Sequence, residues 1–164
     1  MNGRKFSRRH PVGFLVLLGV LICPLPGWGE EFDITCCGST NNTLLSTSPE
    51  LVLLGYEGKG ISTSNHSNKI FDNLSWQVVG MTKVVDGKAH WSEYRKYQDL
   101  NGDVFYVELS GVGPEGTYKI LNGTGKYKGI KGEAKTKATA RGKPIVAGTG
   151  QYCGRAIGTF ELAK

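Results

Sequence analysis

Two groups of side chains in this sequence could do chemistry, a glutamate in the segment "AHWSEYRKYQ" and a set of cysteines. Glu93 follows Trp91 at a spacing of two, so in a β-strand both side chains project from one face. A carboxyl group buried beside an aromatic ring has a raised pKa and can move protons without a cofactor. Glu93 is therefore the first candidate catalytic residue and Glu108 the second. The alternative is a surface ion pair between Glu93 and Arg95 or a lysine of a neighbouring strand.

The cysteines Cys36, Cys37 and Cys153 indicate a disulfide in an exported chain. Either Cys36 or Cys37 can pair with Cys153, and closing so long a loop contributes about 4 kcal/mol in the chain-entropy picture. One thiol is then left over. A catalytic cysteine would need a histidine beside it, and nothing in the sequence places His66 or His90 there.

Patterns typical of metal and phosphate sites are absent from the sequence. It contains no CxxC, HxxxH or HExxH, so we expect no metal and no cofactor. The glycine-rich stretch that begins at Gly123 has Tyr127 where a phosphate loop needs serine or threonine. The turn from Asp99 to Asp103 lacks the glycine and glutamate of a calcium loop and is interpreted as an Asn-Gly turn.

Residues 1–29 have the features of a cleaved secretory signal peptide. Basic residues precede an apolar run, Val12 to Ile22, and small residues precede a predicted cleavage site after Gly29. The run has 11 residues, fewer than the roughly 20 of a spanning helix. Lipid attachment at Cys23 is disfavoured because isoleucine precedes it. We expect a secreted or periplasmic protein with no membrane association after cleavage.

The basic character of the chain comes largely from this segment. The net charge of +6 falls to +2 without residues 1–29, since sixteen basic and fourteen acidic residues remain. Nine of the basic residues lie in residues 126–164, where Lys135 and Lys137 share the parity of a solvated strand face. Few aromatic residues lie among them to stack on bases, so no nucleic-acid partner is predicted.

After residue 50, turn signals with glycine, asparagine or aspartate separate short segments with strand character. No stretch predicts a helix that could cover a sheet, so we predict an all-β, antiparallel, closed barrel of about eight strands over residues 51–164, with a β-sandwich as the competing architecture. Residues 30–50 are expected to form an irregular arm tethered by the disulfide. A long polar loop within residues 57–73 is expected to cover a barrel mouth or bind something. The strand candidates are Leu51–Tyr56, Leu74–Val85, Ala89–Gln98, Asp103–Ser110, Thr117–Leu121, Gly132–Thr139, Gly148–Cys153 and Ala156–Leu162.

A barrel of eight strands is just wide enough to hold one small ligand or to be filled by its own side chains. Alternation places Trp76 and Phe105 on apolar strand faces, and together with Trp91 they predict a pocket for a small lipophilic ligand. A barrel filled by these same aromatic residues, with a structural or interaction role, is the other interpretation.

The segment "GTGKYKG" at Gly123 recurs as "GTGQYCG" at Gly148, which predicts one backbone bend used twice with a tyrosine packed across it. "DLNGDVFYVE" followed by "GTYKILNGTGKYKGIKGEA" resembles the small secreted barrels of the allene oxide cyclase and dirigent type, in particular an uncharacterised bacterial exported branch. The resemblance implies an eight-stranded barrel, often associated as homo-oligomers, and allows a cofactor-free isomerase or cyclase as the alternative function. It assigns no active-site residues.

Overall fold

The computed structural model describes residues 29–48 and 50–163, so the predicted signal peptide, except for Gly29, lies outside the described residues. No helix within these ranges is long and apolar enough to cross a membrane. A short 3-10 helix, Gly125–Tyr127, separates β6 from β7. The strands are β1 (Glu30–Thr47), β2 (Leu51–Ser64), β3 (Leu74–Val85), β4 (Lys88–Gln98), β5 (Val104–Val112), β6 (Glu115–Gly123), β7 (Lys131–Gly142) and β8 (Thr149–Glu161).

The eight strands form one antiparallel meander that closes on itself. Closure comes from β1 and β8, which pair from Glu30 opposite Phe160 to Asn41 opposite Thr149. A closed barrel leaves no strand edge free to pair with another chain. The predicted all-β, eight-stranded barrel is therefore confirmed, and the β-sandwich is not what forms.

The prediction of an irregular arm over residues 30–50 was wrong, because most of this segment is β1. The alternation of β1 is hard to detect because its inner positions include a cysteine and a threonine beside Phe32 and Ile34. The total of eight strands was right only because a second error offset the first. The two candidates Gly148–Cys153 and Ala156–Leu162 are one continuous strand, β8.

Alternation along the strands decides which side chains fill the barrel. Trp76 of β3 and Phe105 of β5 are buried, as the sequence predicts. Their neighbours on the same strand faces are buried as well: Leu74, Val78, Val107 and Leu109. In β4, which is polar on both faces, the buried residues include Glu93, Arg95 and Tyr97. Lys135 and Lys137 face solvent, as their parity predicts.

One end of the barrel is filled by aromatic rings, and we call it the closed end. Phe71 comes from the loop between β2 and β3, and its ring centroid lies 4.9 Å from that of Phe160, 5.0 Å from Phe32 and 5.2 Å from Phe105. Tyr127 completes this cluster and donates a hydrogen bond of 2.8 Å to the carbonyl oxygen of Ile70 in the same loop. The predicted loop over residues 57–73 was too long, because β2 continues to Ser64. The remaining residues, 65–73, cover one mouth of the barrel, which is one of the two roles that the sequence predicts for the loop.

The disulfide joins Cys37 to Cys153, which settles the choice that the sequence leaves open. These residues face each other directly in the pairing of β1 with β8, with their Cα atoms 4.1 Å apart. Successive side chains of a strand point to opposite faces, so Cys36 points into the barrel. Cys36 is a buried free thiol.

Candidate functional site

The end of the barrel opposite the aromatic cluster contains a cavity of about 450 Å³, and we call it the open end. A volume of this size matches pockets that take one small organic molecule. Its walls are largely apolar near the mouth and polar at the floor. Apolar walls come from Leu54, Val84, Ala89, Trp91, Leu109, Pro114 and Ala138, and polar groups from Thr40, Asn42, Tyr56, Thr82, Glu93, Arg95, Tyr118, Arg141 and Tyr152.

The floor of the cavity is built around an ion pair between Glu93 and Arg95, which are both buried. They occupy alternate positions of β4, so their side chains enter the barrel side by side. The Glu93 carboxylate also accepts a hydrogen bond of 2.8 Å from the Tyr56 hydroxyl. Both carboxylate oxygens of Glu93 thus have a protein partner.

Tyr56 reaches Glu93 because a glycine lies between them. Tyr56, Gly80 and Glu93 are consecutive cross-strand partners on β2, β3 and β4. A Cβ atom at Gly80 would lie 2.4 Å from Cζ of the Tyr56 ring, well inside van der Waals contact. The glycine therefore lets the phenol lie flat along the barrel wall.

The two tryptophans of the inner wall use the same arrangement. Trp76 lies across Gly60 and Gly38, and its indole nitrogen donates a 3.0 Å hydrogen bond to the carbonyl oxygen of Ile61. Trp91 lies across Gly111 and Gly116.

The Trp91 indole nitrogen donates a 3.0 Å hydrogen bond to the carbonyl oxygen of Gly113. Aromatic rings laid on glycines cover the wall without projecting into the lumen, and this keeps the open end hollow.

Arg95 is held on several sides by buried groups. It donates hydrogen bonds of 3.1 Å to the hydroxyl of Tyr97 and 3.2 Å to that of Tyr152, and its guanidinium lies 4.6 Å from the ring centroid of Trp76. Burial alone would lower the pKa of Arg95, but its interactions with Tyr97 and Glu93 raise the pKa above its usual range. The guanidinium is therefore a fixed positive charge.

The hydroxyl groups at the floor keep their protons at neutral pH. Burial raises the pKa of Tyr152 to about 12, and it also raises the pKa values of Tyr56, Tyr97 and Tyr118. Burial likewise raises the pKa of the Cys36 thiol, which lies 3.3 Å from the Tyr97 hydroxyl. The floor thus presents neutral donors around one internally balanced ion pair.

Two of these phenols have hydrogen-bonding capacity that the described residues do not use. The Tyr152 hydroxyl accepts from Arg95, and no described residue accepts its own hydrogen. The Tyr118 hydroxyl is buried and has no partner among the described residues. Both line the cavity, so a ligand oxygen that accepts hydrogen bonds would satisfy groups that are otherwise unpaired.

The structure separates the residues that the sequence predicts for the site. Glu93 lies at the cavity floor and Trp91 in its wall, whereas Trp76 lies beneath Arg95 and Phe105 belongs to the closed end, stacked on Tyr97 with centroids 4.8 Å apart. Trp76 and Phe105, which the sequence predicts as pocket residues, therefore belong to the core of the barrel.

Glu108, the second catalytic candidate, points away from the cavity. It lies on the outer face of β5 and accepts a 3.2 Å hydrogen bond from Tyr94. Sequence reasoning missed Tyr56, Tyr118 and Tyr152, which come from three other strands. It also passed over Arg95 as an interior residue, although the spacing of two from Glu93 places both on one face.

Comparison with known proteins gives a structural likeness and no sequence match. Neither protein-family models nor curated proteins match this chain. Among solved structures, the chain is similar to the pterocarpan synthase dirigent protein GePTS1, with a TM-score of 0.44 and 13% identity over 85% of this chain and 92% of that one. The closed eight-stranded barrel follows from the chain's own strand pairing, and membership of a bacterial exported branch stays a prediction.

Proposed function

We propose that this barrel binds one small, largely apolar molecule at its open end, with an oxygen atom of the molecule directed to the floor. The observation that carries the proposal is a cavity of about 450 Å³ with apolar walls and two floor phenols, Tyr118 and Tyr152, that have unused donors. The charges of Glu93 and Arg95 balance each other, so the part of the ligand that reaches the floor is expected to be neutral.

The groups that line the cavity indicate the class of ligand. Apolar walls contribute about 25 cal/mol for each Å² of ligand surface that they remove from water. A carbonyl or ether oxygen would accept hydrogen bonds from the phenols, whereas a ligand donor at the floor would find both oxygens of Glu93 occupied. A lipophilic ketone, ester or ether is therefore the expected ligand type.

A direct test uses prodan, a neutral naphthalene fluorophore with one ketone oxygen. Thr136 lines the cavity, and its neighbour Lys135 points to solvent from the same strand. Thr136→Phe should abolish prodan binding by filling the cavity, and the matched Lys135→Phe should bind as the unsubstituted chain does. Equal binding by both variants would refute the cavity as the binding site.

The orientation of the ligand has its own test. Tyr152→Phe removes one donor and should weaken prodan binding about fivefold, in proportion to the loss of one hydrogen bond. Prodan emission shifts to shorter wavelength when its ketone loses a donor, so the bound spectrum should shift in the same variant. An unchanged spectrum and affinity would place the ketone elsewhere.

A cofactor-free isomerase or cyclase in the same cavity is the second candidate, and the interior position of Glu93 is the observation that favours it. The pairing of both its carboxylate oxygens weighs against a free catalytic base. The molecule retained by the chain can decide between the two. A binding protein and its Glu93→Gln variant should retain the same compound, whereas an isomerase should retain the product and its variant the substrate isomer, distinguishable by chromatography at equal mass.

We also propose that the chain is exported and loses residues 1–29. The Cys37–Cys153 disulfide supports this proposal, since such bonds persist in oxidising compartments. Native mass spectrometry of protein recovered from its secretion route would report the retained molecule, and the denatured mass would report the amino terminus. A denatured mass that includes residues 1–29 would contradict cleavage.

A further inference from the structure

The rim of the open end carries exposed apolar side chains from two neighbouring loops. We define the rim patch as Leu44 and Leu45, near the end of β1, with Ile145 and Val146 in the loop between β7 and β8. Their side chains are exposed by 56%, 63%, 89% and 62%. The two segments meet where the backbone N–H of Asn42 donates a 2.7 Å hydrogen bond to the carbonyl oxygen of Gly148.

The rim patch continues the apolar lining of the cavity. Pairing of β1 with β8 ends at Asn41, so the rest of β1 projects beyond β8 as part of a hairpin with β2. Leu44 lies opposite Leu54 in this hairpin, and directly opposed residues share a face. Since Leu54 lines the cavity, Leu44 extends the same apolar surface to the edge of the mouth.

Positive charge surrounds this edge. Arg141 and Lys143 precede Ile145 in the chain, and Lys83 and Lys88 lie at the same end of the barrel on β3 and β4. These four side chains are exposed and form no ion pair with another described residue. Acidic residues at this end are Glu50, Asp86 and Glu115, and the last is already paired with Lys137.

We propose that the rim patch docks the open end onto the surface of an anionic lipid bilayer. Exposed apolar side chains bordered by basic ones are the combination that binds an anionic interface, because the apolar groups enter the headgroup region while the cations meet lipid phosphates. The cavity opens at this edge, so a lipophilic molecule could pass between bilayer and barrel without crossing water. The proposal departs from the expectation of no membrane association, which the sequence suggests.

The test measures partition onto phosphatidylcholine vesicles with and without phosphatidylglycerol, using the chain as recovered from its producing cells. Every variant has the same amino terminus, which intact mass verifies. Ile145→Asp with Val146→Asp should reduce partition about tenfold or more, since two apolar anchors become charged. Leu100→Asp is the matched control, because Leu100 is 90% exposed in the turn between β4 and β5 at the closed end.

Charge and apolar contact can be separated in the same assay. Lys88→Ser with Lys143→Ser should reduce partition about fivefold for each charge on vesicles with phosphatidylglycerol and leave partition onto phosphatidylcholine alone unchanged. Wild-type partition at background level, or an equal loss in Leu100→Asp, would overturn the proposal. Association of the chain with itself, measured by light scattering and abolished by the Ile145 and Val146 substitutions, would overturn it in favour of an interface between copies.

Failure of this proposal is distinguishable from failure of the cavity as a ligand site. The rim variants should bind prodan normally in the absence of vesicles, since none of their side chains forms the floor. Thr136→Phe should show the opposite pattern, with prodan binding lost and vesicle partition retained. If the rim variants lose prodan binding and vesicle partition together, the rim is part of the ligand site and not a separate docking surface.

Discussion

At the closed end of the barrel, aromatic rings project from the wall into the lumen and meet, with Phe71 at the centre. At the open end, rings of similar size lie along the wall, where Tyr56 and Trp91 are placed over glycines of neighbouring strands. An eight-stranded barrel can be filled or can hold one ligand, and this chain does each at a different end. The direction of the rings, more than their number, decides where space remains.

The largest expected effect is the removal of the central ring at the closed end. Phe71→Ala should reduce the free energy of unfolding by about 4 kcal/mol, because it leaves a void in a close-packed cluster. Leu54→Ala, in the wall of a cavity that already exists, should cost only about 1 kcal/mol. Urea unfolding measures both, with the exposed Leu100→Ala as a control that should change little. Similar costs for Phe71 and Leu54 would mean that the two ends are packed alike.

The next effect tests whether the floor of the open end depends on its ion pair. Arg95→Met leaves the buried Glu93 carboxylate without its cation and should cost about 3 kcal/mol, and Glu93→Gln should cost a similar amount. The double variant removes both charges and should cost no more than either single change. The exposed pair Glu115 and Lys137 is the matched control, and its double-mutant cycle should give a coupling below about 1 kcal/mol.

Additive losses at Glu93 and Arg95 would contradict this account, because independent contributions mean that the two groups do not compensate one another. In that case the polar floor would be stabilised by its hydroxyl partners, such as Tyr56 and Tyr97, and not by the ion pair.

Much of the barrel could be predicted from the sequence, and the failures have a physical cause. Alternation in β3 and β5 predicted their inner faces because large apolar residues alternate there with polar ones. In β1 and β2 the alternation of apolar and polar residues is interrupted at Gly38 and Gly60. The wall needs no side chain there, because the Trp76 ring covers it from β3. The apolar surface of those positions is supplied by another strand.

The site was partly predictable, because a sequence shows which residues share a face within one strand but not which strands bring their residues together. Glu93 and Trp91 belong to one strand, so their shared face follows from spacing alone. Tyr56, Tyr118 and Tyr152 join them through cross-strand register, which a single sequence does not specify.

The repeated "GTG" motif led to a wrong prediction about the backbone. Gly125 has a positive φ of 52° and opens the 3-10 helix that carries Tyr127 to the closed end. The second copy has its positive φ at Gly148, just before β8. The expectation of one bend used twice was therefore wrong.

A smaller effect is expected at Gly80, and it tests the idea that glycines hold rings against the wall. Gly80→Ala places a methyl group where the Tyr56 ring lies, so the ring must leave the wall and its hydrogen bond to Glu93 breaks. We expect a loss of about 2 kcal/mol in unfolding free energy, together with weaker prodan binding because the displaced ring enters the cavity. The combined variant with Tyr56→Ala should bind prodan again.

Gly87→Ala is the control for a glycine without such a ring, since nothing lies within 4 Å of an added Cβ there, although its φ of +72° adds a backbone cost of its own. Prodan affinity should be unchanged in that variant. Restoration by Tyr56→Ala is the decisive observation, because a general loss of structure would not be rescued by removing a second side chain.

The smallest effect on stability near neutral pH is expected for Tyr152, and a further effect of this residue appears only in alkali. Burial raises the pKa of Tyr152 to about 12 in the folded chain, whereas the pKa of a tyrosine in the unfolded chain is about 10. Below the lower value both states keep the proton, so this residue gives no pH dependence. Between the two values the unfolded chain has lost its proton and the folded chain has not, so the free energy of unfolding falls as pH rises. Tyr152→Phe should make this decline shallower. Near neutral pH it should cost about 1 kcal/mol, because the Tyr152 hydroxyl accepts a hydrogen bond from the buried Arg95. Tyr94→Phe is the same substitution at an exposed phenol on the outer wall. Urea unfolding across this pH range measures the slopes, and equal slopes for the two variants would show that the Tyr152 hydroxyl is not shielded from water at the cavity floor.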